Sequence, residues 1–129
     1  MSFNPVRWFE IYVQDMPRAQ AFYEGMLQVR MTPLPNPNPG DSAGLEMLAF
    51  PMGTEASGCS GTLAKMPGMP SGGNSTLVYF ACEDCAVEAG RAAANGGKVF
   101  KDKMPIGEHG FMALVTDTEG NMVGLHSMK

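Results

Sequence analysis

The sequence has little of what marks a secreted, membrane-spanning or nucleic-acid-binding protein. Its 129 residues include three cysteines, which cannot close a disulfide framework and favour a reducing compartment. No apolar run approaches the roughly 18 residues that a helix needs to cross a bilayer. The first residues lack the basic and then apolar pattern of a secretory signal. We therefore expect a cytoplasmic protein with no membrane partner.

Basic side chains are also few and scattered along the chain. Nine lysines and arginines stand against thirteen aspartates and glutamates, for a net charge of −4. Because no basic stripe is present to meet a phosphate backbone, no nucleic acid partner is expected. The 44% hydrophobic and 17% charged residues are typical of a globular chain of one domain, long enough to bury a core.

The first half of the chain predicts a strand, a helix and further strands. Val6–Val13 is dense in β-branched and aromatic residues, which indicates a strand. Its alternation assigns one set of side chains to the packed face and another to a pocket wall. These sets are Phe9, Ile11 and Val13 for the packed face, and Trp8, Glu10 and Tyr12 for the wall.

Asp15 is predicted to cap the following helix, and the prolines and glycines of Thr32–Gly44 predict an irregular segment. Leu45–Met52 and Ser57–Met66 are the next predicted strands.

The second half repeats this plan at a constant offset. Asp84 lies 69 residues after Asp15, and the same offset relates the flanking strands and helix ends, which indicates an internal repeat. The predicted elements are strand Ser75–Cys82, helix Ala86–Ala94 ended by Gly96–Gly97, and strands Gly97–Lys101, Phe111–Thr116 and Met122–Ser127. Each half is predicted to be a strand, a helix and three strands, with modules at about 5–66 and 75–129 and a linker at 67–74.

Three stretches of this duplicated plan resemble a known superfamily. They are Phe9–Tyr23, Leu77–Val99 and Ala113–Leu125, the last containing an Asp-x-x-Gly-Asn motif. Together they are similar to the vicinal oxygen chelate superfamily (glyoxalase, bleomycin resistance and extradiol dioxygenase proteins), and most to its glyoxalase-like members of unassigned substrate. The resemblance implies an α+β fold in which two tandem βαβββ modules form a cupped mixed β-sheet with helices on the outer face. It also implies a homodimer.

The resemblance further implies where metal ligands would lie, and this chain departs from the pattern there. The corresponding positions are Trp8, Leu77, Gly124, and either Ser60 or Gly61. An indole, an isobutyl group and a glycine offer no lone pair to a hard divalent cation. We therefore expect no metal cofactor at the standard site.

Polar residues two positions away predict a shifted polar centre. Period-2 alternation places Glu10 and His126 on the same faces as the lost ligand positions, and Tyr79 is the repeat equivalent of Glu10. Glu10, Tyr79 and His126 could contact a ligand, or Glu10 and His126 could act as a catalytic acid–base couple. A divalent metal held by those two residues is a further alternative, although two protein ligands make a weak zinc site. They could also be a purely structural polar pair.

Two other groups of residues suggest chemistry less directly. Cys82 and Cys85 form a C-x-x-C at a strand–helix junction, a spacing that dithiol redox proteins use. Against that use, Cys82 takes the place of apolar Val13 in the repeat and is expected to point under the helix. His109 lies in a turn between two predicted strands, where it could bind a ligand or simply face solvent.

These residues lead to one preferred hypothesis and one alternative. We expect a protein that binds a small molecule in a pocket lined by Trp8, Glu10, Tyr12, Tyr79 and His126. The alternative is a lyase, isomerase or dioxygenase that uses a relocated metal or the Glu10–His126 couple. A purely structural dimerisation module is a third interpretation, which the carboxylate of Glu10 on a buried strand argues against.

Overall fold

The chain folds into two modules of the same βαβββ plan. The computed structural model describes residues 4–36, 40, 44–53 and 58–129. The first module contains β1 (Trp8–Tyr12), α1 (Met16–Leu27), β2 (Thr32–Pro33), β3 (Glu46–Ala49) and β4 (Ser60–Lys65). The second contains β5 (Tyr79–Ala81), α2 (Cys85–Ala94), β6 (Lys98–Pro105), β7 (Phe111–Thr116) and β8 (Met122–Ser127). The predicted α+β fold of two tandem βαβββ modules is confirmed. Among the described residues, no helix combines the length and apolar character needed to cross a membrane.

Each module forms its own mixed four-stranded sheet. The strand orders are β1-β4-β3-β2 and β5-β8-β7-β6. In each module the first strand runs parallel to the last, and the other pairs are antiparallel. As a result β1 and β5 are edge strands, and each leaves one side of its backbone outside its own sheet.

Both helices are capped at the predicted aspartates, although α2 begins at Cys85, one residue before the predicted start. The Asp15 carboxylate accepts a hydrogen bond from the Arg18 backbone N–H at 3.1 Å, and Asp84 accepts one from Ala86 at 3.1 Å. These bonds satisfy N–H groups that have no partner within the first helical turn. After α2 the chain turns at Gly96, whose φ of 96° is one that glycine adopts at little cost. The repeat of cap and helix is thus confirmed.

The segment Thr32–Gly44 is not wholly irregular. Thr32 pairs with Ala49 and Pro33 pairs with Leu48, which makes a two-residue strand and completes the three strands after α1. Pro33 is tolerated there because β2 is an edge strand, where one side of the backbone needs no donor. Residues 37–39 and 41–43 of that segment, and Ser57 of the predicted strand Ser57–Met66, lie outside the described residues.

The lengths of two strands in the second module also differ from prediction. The predicted strand Ser75–Cys82 is reduced to Tyr79–Ala81, because only this part pairs with β8. The predicted strand Gly97–Lys101 instead runs from Lys98 to Pro105 with two register shifts against β7. In both cases the partner strand sets the length.

One apolar core is shared by the two modules. Ala19, Phe22, Tyr23 and Met26 of α1 are fully buried, as their helical spacing predicts. The Phe9 and Phe80 rings, one from each module, lie 6.0 Å apart between centroids. A buried side chain of this size contributes roughly 1.5–3 kcal/mol relative to exposure. Much of the core stabilisation therefore depends on both modules being together.

The turn between β7 and β8 fastens the second module to the first. The Glu119 carboxylate accepts hydrogen bonds from the backbone N–H groups of Gln14 and Asp15, both at 2.9 Å, and from the Arg18 guanidinium at 2.7 Å. Burial alone would raise the pKa of Glu119. The bonds from Arg18 and the two backbone N–H groups outweigh burial and lower the pKa to about 2. We call this arrangement the Glu119 clasp.

The Asp-x-x-Gly-Asn motif makes a second connection between the modules. Asp117 Oδ1 accepts the backbone N–H of Glu119 and of Asn121, and Oδ2 accepts the buried Tyr23 hydroxyl at 2.6 Å. Asn121 Nδ2 in turn donates to the Tyr12 carbonyl at 2.9 Å. Burial, followed by the charge of Asp117 and its hydrogen bond, raises the pKa of Tyr23 well above its usual value. In this chain the motif shapes a turn and joins it to α1 and β1.

Candidate functional site

The face of β1 turned away from the helices carries an aromatic and acidic row. Ile11 and Val13 are buried in the core, whereas Trp8 is 39% exposed and Glu10 is exposed. Tyr12 is partly buried on the same side. This is the alternation predicted for a pocket wall, and it follows from the period-2 geometry of a strand whose other face packs under α1.

Strand pairing sets which residues lie beside this row. Trp8 is the Cα partner of Ser60, and Glu10 is the partner of Thr62. Thr62 is fully buried, and its hydroxyl has no hydrogen-bond partner among the described residues. Sequence reasoning named Ser60 or Gly61 and missed Thr62, because the register between β1 and β4 is a long-range property that no local signal encodes.

On the second sheet an aromatic ring covers the glycine at an expected ligand position. Tyr79 and Gly124 are Cα partners, and a Cβ added at Gly124 would lie 2.3 Å from the Tyr79 ring. The Tyr79 ring therefore fills the space that a side chain at position 124 would need. Tyr79 itself remains 48% exposed, so its outer surface is free to contact a ligand.

His126 lies beside Ala81 on the same sheet, at the end near the loop before β7. Its Nε2 is 2.6 Å from the His109 carbonyl oxygen. A carbonyl oxygen only accepts hydrogen bonds, so Nε2 must carry the proton in this contact. In a neutral ring, Nδ1 is then the nitrogen that can accept a hydrogen bond. His109 thus meets His126 through its backbone, and its own side chain is exposed.

Glu10 is hydrogen bonded within its own strand. The Tyr12 hydroxyl donates to Glu10 Oε1 at 3.0 Å. Partial burial, then the hydrogen bond and the charge of Glu10, raises the pKa of Tyr12 above its usual value. Glu10 and His126 share no hydrogen bond or ion pair; each has the separate partner described above.

A groove of about 430 Å³ runs along the free edge of β1. One wall is residues 9–12, and the other is formed by the linker before β5 and the start of β8. The wall residues beyond β1 are Pro70, Gly72, Gly73, Asn74, Ser75, Thr76, Val78, Asn121, Met122 and Val123. Of the predicted pocket residues, Glu10 and Tyr12 line this groove, while Trp8, Tyr79 and His126 do not.

The linker is the part of the site that sequence reasoning did not assign. Its glycines and prolines predicted a connection and nothing more. In the structure Gly72 N–H donates to Asn121 Oδ1 at 2.6 Å, and Ser71 Oγ donates to the Tyr12 carbonyl at 2.7 Å. These bonds hold the linker against both modules, which makes it a wall of the groove.

The C-x-x-C pair does not have the features of a redox-active dithiol. Burial, followed by the nearby Glu88 carboxylate, raises the pKa of Cys82 to about 12. Cys85 is fully buried at the start of α2. A reactive cysteine needs an exposed sulfur with a lowered pKa, so this geometry argues against redox chemistry.

The residues at the standard metal positions do not fit a divalent cation. Trp8, Leu77 and Gly124 supply no ligand atom, and Ser60 donates to backbone carbonyls of residues 50 and 51. Within the described ranges, no group of three or more histidine, cysteine, aspartate or glutamate side chains could hold a metal ion.

Solved structures with this fold include enzymes and binding proteins. Glyoxalase I from Zea mays matches with a TM-score of 0.72 and 19% identity, over 96% of this chain and 46% of that one. TnmS3, an antibiotic binding protein from Streptomyces sp. CB03234, matches with a TM-score of 0.66 and 21% identity, over 98% of both chains. A glyoxalase/bleomycin resistance protein from Albidiferax ferrireducens T118 matches at 0.64 and 18%, over 96% of this chain and 98% of that one.

These likenesses confirm the fold that the sequence resemblance implied. The chain has the fold of the vicinal oxygen chelate superfamily. It spans about half the length of the maize enzyme. No family model matches the sequence, and a search of curated proteins finds no significant match.

Proposed function

We propose that this chain is a small-molecule-binding protein of the glyoxalase and bleomycin-resistance type, and that it holds its ligand without the standard metal site. The groove along β1 is the observation that carries the proposal, because Glu10 and Tyr12 meet there beside a fixed linker wall. Its volume is in the range of small-ligand sites. TnmS3, which has this fold, is an antibiotic binding protein, and this supports a binding role.

The proposed site extends from the groove over the neighbouring sheet faces. Trp8 and Tyr79 offer exposed aromatic surface, and His126 offers a ring nitrogen beyond the one bonded to the His109 carbonyl. Aromatic rings supply much of the contact area in small-ligand sites, while a few polar groups fix orientation. Glu10, Tyr12 and His126 are the proposed polar contacts.

A thermal-shift screen of metabolites and antibiotics, followed by calorimetry of each hit, tests ligand binding. A ligand at 100 times its Kd should stabilise the native state by about 2.7 kcal/mol. Glu10→Gln should weaken binding of the hits. Glu83→Gln, which changes a side chain that is 94% exposed and outside the groove, is the matched control. Hits whose binding is unaffected by Glu10→Gln would place their ligand elsewhere and contradict this site.

Elemental analysis of protein purified without an affinity tag or chelator tests the metal-free half of the proposal. We expect no stoichiometric metal in the wild-type chain or in His126→Ala. The Tyr79 ring over Gly124 supports this expectation, since it fills a position that a ligand would need. About one metal per chain, lost in His126→Ala, would overturn it and favour the enzyme with a relocated site at Glu10 and His126.

We also propose that the protein is a cytoplasmic homodimer. Its three cysteines are unpaired, which suits a reducing compartment. Large exposed apolar side chains are concentrated on the second module: Leu77, Tyr79, Val87, Phe100, Met104, Ile106 and Met128. Covering such surface against a second copy would remove it from water.

A further inference from the structure

The described residues that line the groove along β1 carry one formal charge. Among them Glu10 is the only ionised side chain, and none is lysine, arginine or histidine. Glu10 is exposed, and its hydrogen-bond partner is the neutral Tyr12 hydroxyl. Within the described part of the chain it forms no ion pair. A carboxylate can accept about four hydrogen bonds, so most of the capacity of Glu10 is open to solvent or to a ligand.

The amide side chains in the groove are already occupied by the protein. Asn74 Nδ2 donates to the Met122 carbonyl at 2.7 Å, and its Oδ1 accepts the Met122 N–H at 3.0 Å. Asn121 is bonded to Asp117, Tyr12 and Gly72. These amides hold the wall in place and have little left to offer a ligand. Glu10 is therefore the groove residue that determines which ligand charge is favoured.

Aromatic side chains flank this carboxylate. Trp8 and Tyr12 lie two residues before and after Glu10, on the same face and roughly 6.5 Å away along the strand. Trp8 is 39% exposed and Tyr12 is partly buried. The faces of indole and phenol rings attract organic cations. An anion would be repelled by the charge of Glu10, and no cationic side chain among the described groove residues would offset that repulsion.

We infer that the ligand of this groove is an organic cation, a protonated or quaternary amine joined to an aromatic or apolar body. The amine lies at the Glu10 carboxylate, and the body lies along the groove and against Trp8. This inference rests on the proposed binding function and adds the ligand class. The net charge of −4 favours the approach of such a ligand over that of an anion.

Calorimetry with three ligands of matched shape tests the ligand class. The probes are 4-phenylbenzylamine, the neutral 4-phenylbenzyl alcohol and the anion biphenyl-4-carboxylate, each titrated into the full-length chain. We expect the amine to bind about tenfold more tightly than the alcohol, from an ion pair that is partly screened by water plus ring contacts. The carboxylate should bind most weakly.

Variants locate the effect. Glu10→Gln should reduce the preference for the amine over the alcohol to within about twofold, while Glu83→Gln should leave it unchanged. Adding salt to the wild-type chain should weaken amine binding by screening the charge of Glu10 and leave binding of the alcohol unchanged. This measurement also covers the case in which Glu10→Gln fails to fold. Equal binding of the three probes, binding of none of them, or an amine preference that survives Glu10→Gln would overturn the inferred class. The proposed function fails separately, when the broader screen finds no ligand that depends on Glu10.

Discussion

Glu119 differs from most surface carboxylates in how much it holds together. Its side chain is fully buried, although its partner Arg18 is half exposed. It accepts backbone N–H groups just after β1 as well as the guanidinium. Glutamine in its place keeps one oxygen acceptor but loses the charge, and a hydrogen bond to a charged group contributes about 1.5–3 kcal/mol. We therefore expect Glu119→Gln to lower the free energy of unfolding by about 1.5–3 kcal/mol.

The stabilisation that Glu119 provides should decrease at low pH. The pKa of Glu119 is about 2 in the folded chain, below its usual 4.5. Its stabilising contribution is therefore fully present above pH 4.5 and is lost as the pH falls through about 2. Urea denaturation across this range should show a shallower acid-side decline for Glu119→Gln than for the wild-type chain. A decline in the variant as steep as in the wild type would contradict the role of the clasp.

Single residues also show what sequence alone could and could not predict. The alternation of Trp8, Glu10 and Tyr12 was readable, because it depends on residues next to one another. The partnership of Glu10 with Thr62 and the ring of Tyr79 over Gly124 were not. Both depend on register between strands that are distant in the chain. The Glu10–His126 couple stays a prediction.

The two helices meet through a glycine that a larger residue cannot replace without movement. A Cβ added at Gly25 of α1 would lie 2.2 Å from the side-chain oxygen of Asn95, at the end of α2. At Gly90 of α2, no described atom lies within 4 Å of the same position. The two sites have equal helix propensity and differ in contact, so they form a matched pair.

Alanine at the two positions should act in opposite directions. Gly90→Ala should raise the free energy of unfolding by about 0.5–1 kcal/mol, because alanine loses less backbone entropy in a helix. Gly25→Ala should lower it by about 1–3 kcal/mol through overpacking. Adding Asn95→Ala to Gly25→Ala should recover part of the loss. Chemical denaturation measures all four chains, and a stabilised Gly25→Ala would show that the helix contact is loose.

Among the elements, β7 and β8 were predicted to the residue, whereas β2 was missed. Phe111–Thr116 and Met122–Ser127 carry their own β-forming composition between clear turn signals. Thr32–Pro33 carries no such signal, and it is a strand because β3 pairs with it. Elements with strong local patterns were predictable, and elements defined by a partner were not.

The molecule as a whole depends on contacts between modules that the repeat alone does not reveal. The offset of 69 residues predicted two similar halves, but not the bond from Tyr23 to Asp117 or the Glu119 clasp. Asp117 and Glu119 bond to Tyr23 and Arg18 of the first module, so these contacts lie between the halves and not within either one.

The proposed homodimer is tested by the mass of the particle in solution. Sedimentation equilibrium should give twice the chain mass of 13.8 kDa. Phe100→Glu, at a side chain that is 64% exposed on the second module, should weaken the dimer because a charge would be buried at the interface. Val6→Glu, at a side chain that is 63% exposed on the first module, is the matched control and should leave the dimer intact. A monomer at all concentrations would contradict the proposal.

Trp8 is the single tryptophan of the chain, and it lies on β1 beside the groove. All indole fluorescence from this protein therefore originates two residues, or roughly 6.5 Å along the strand, from Glu10. A ligand that stacks on that ring would quench or shift the entire emission, with no background from indoles elsewhere. The emission of Trp8 would therefore report ligand binding at the proposed site without an added label.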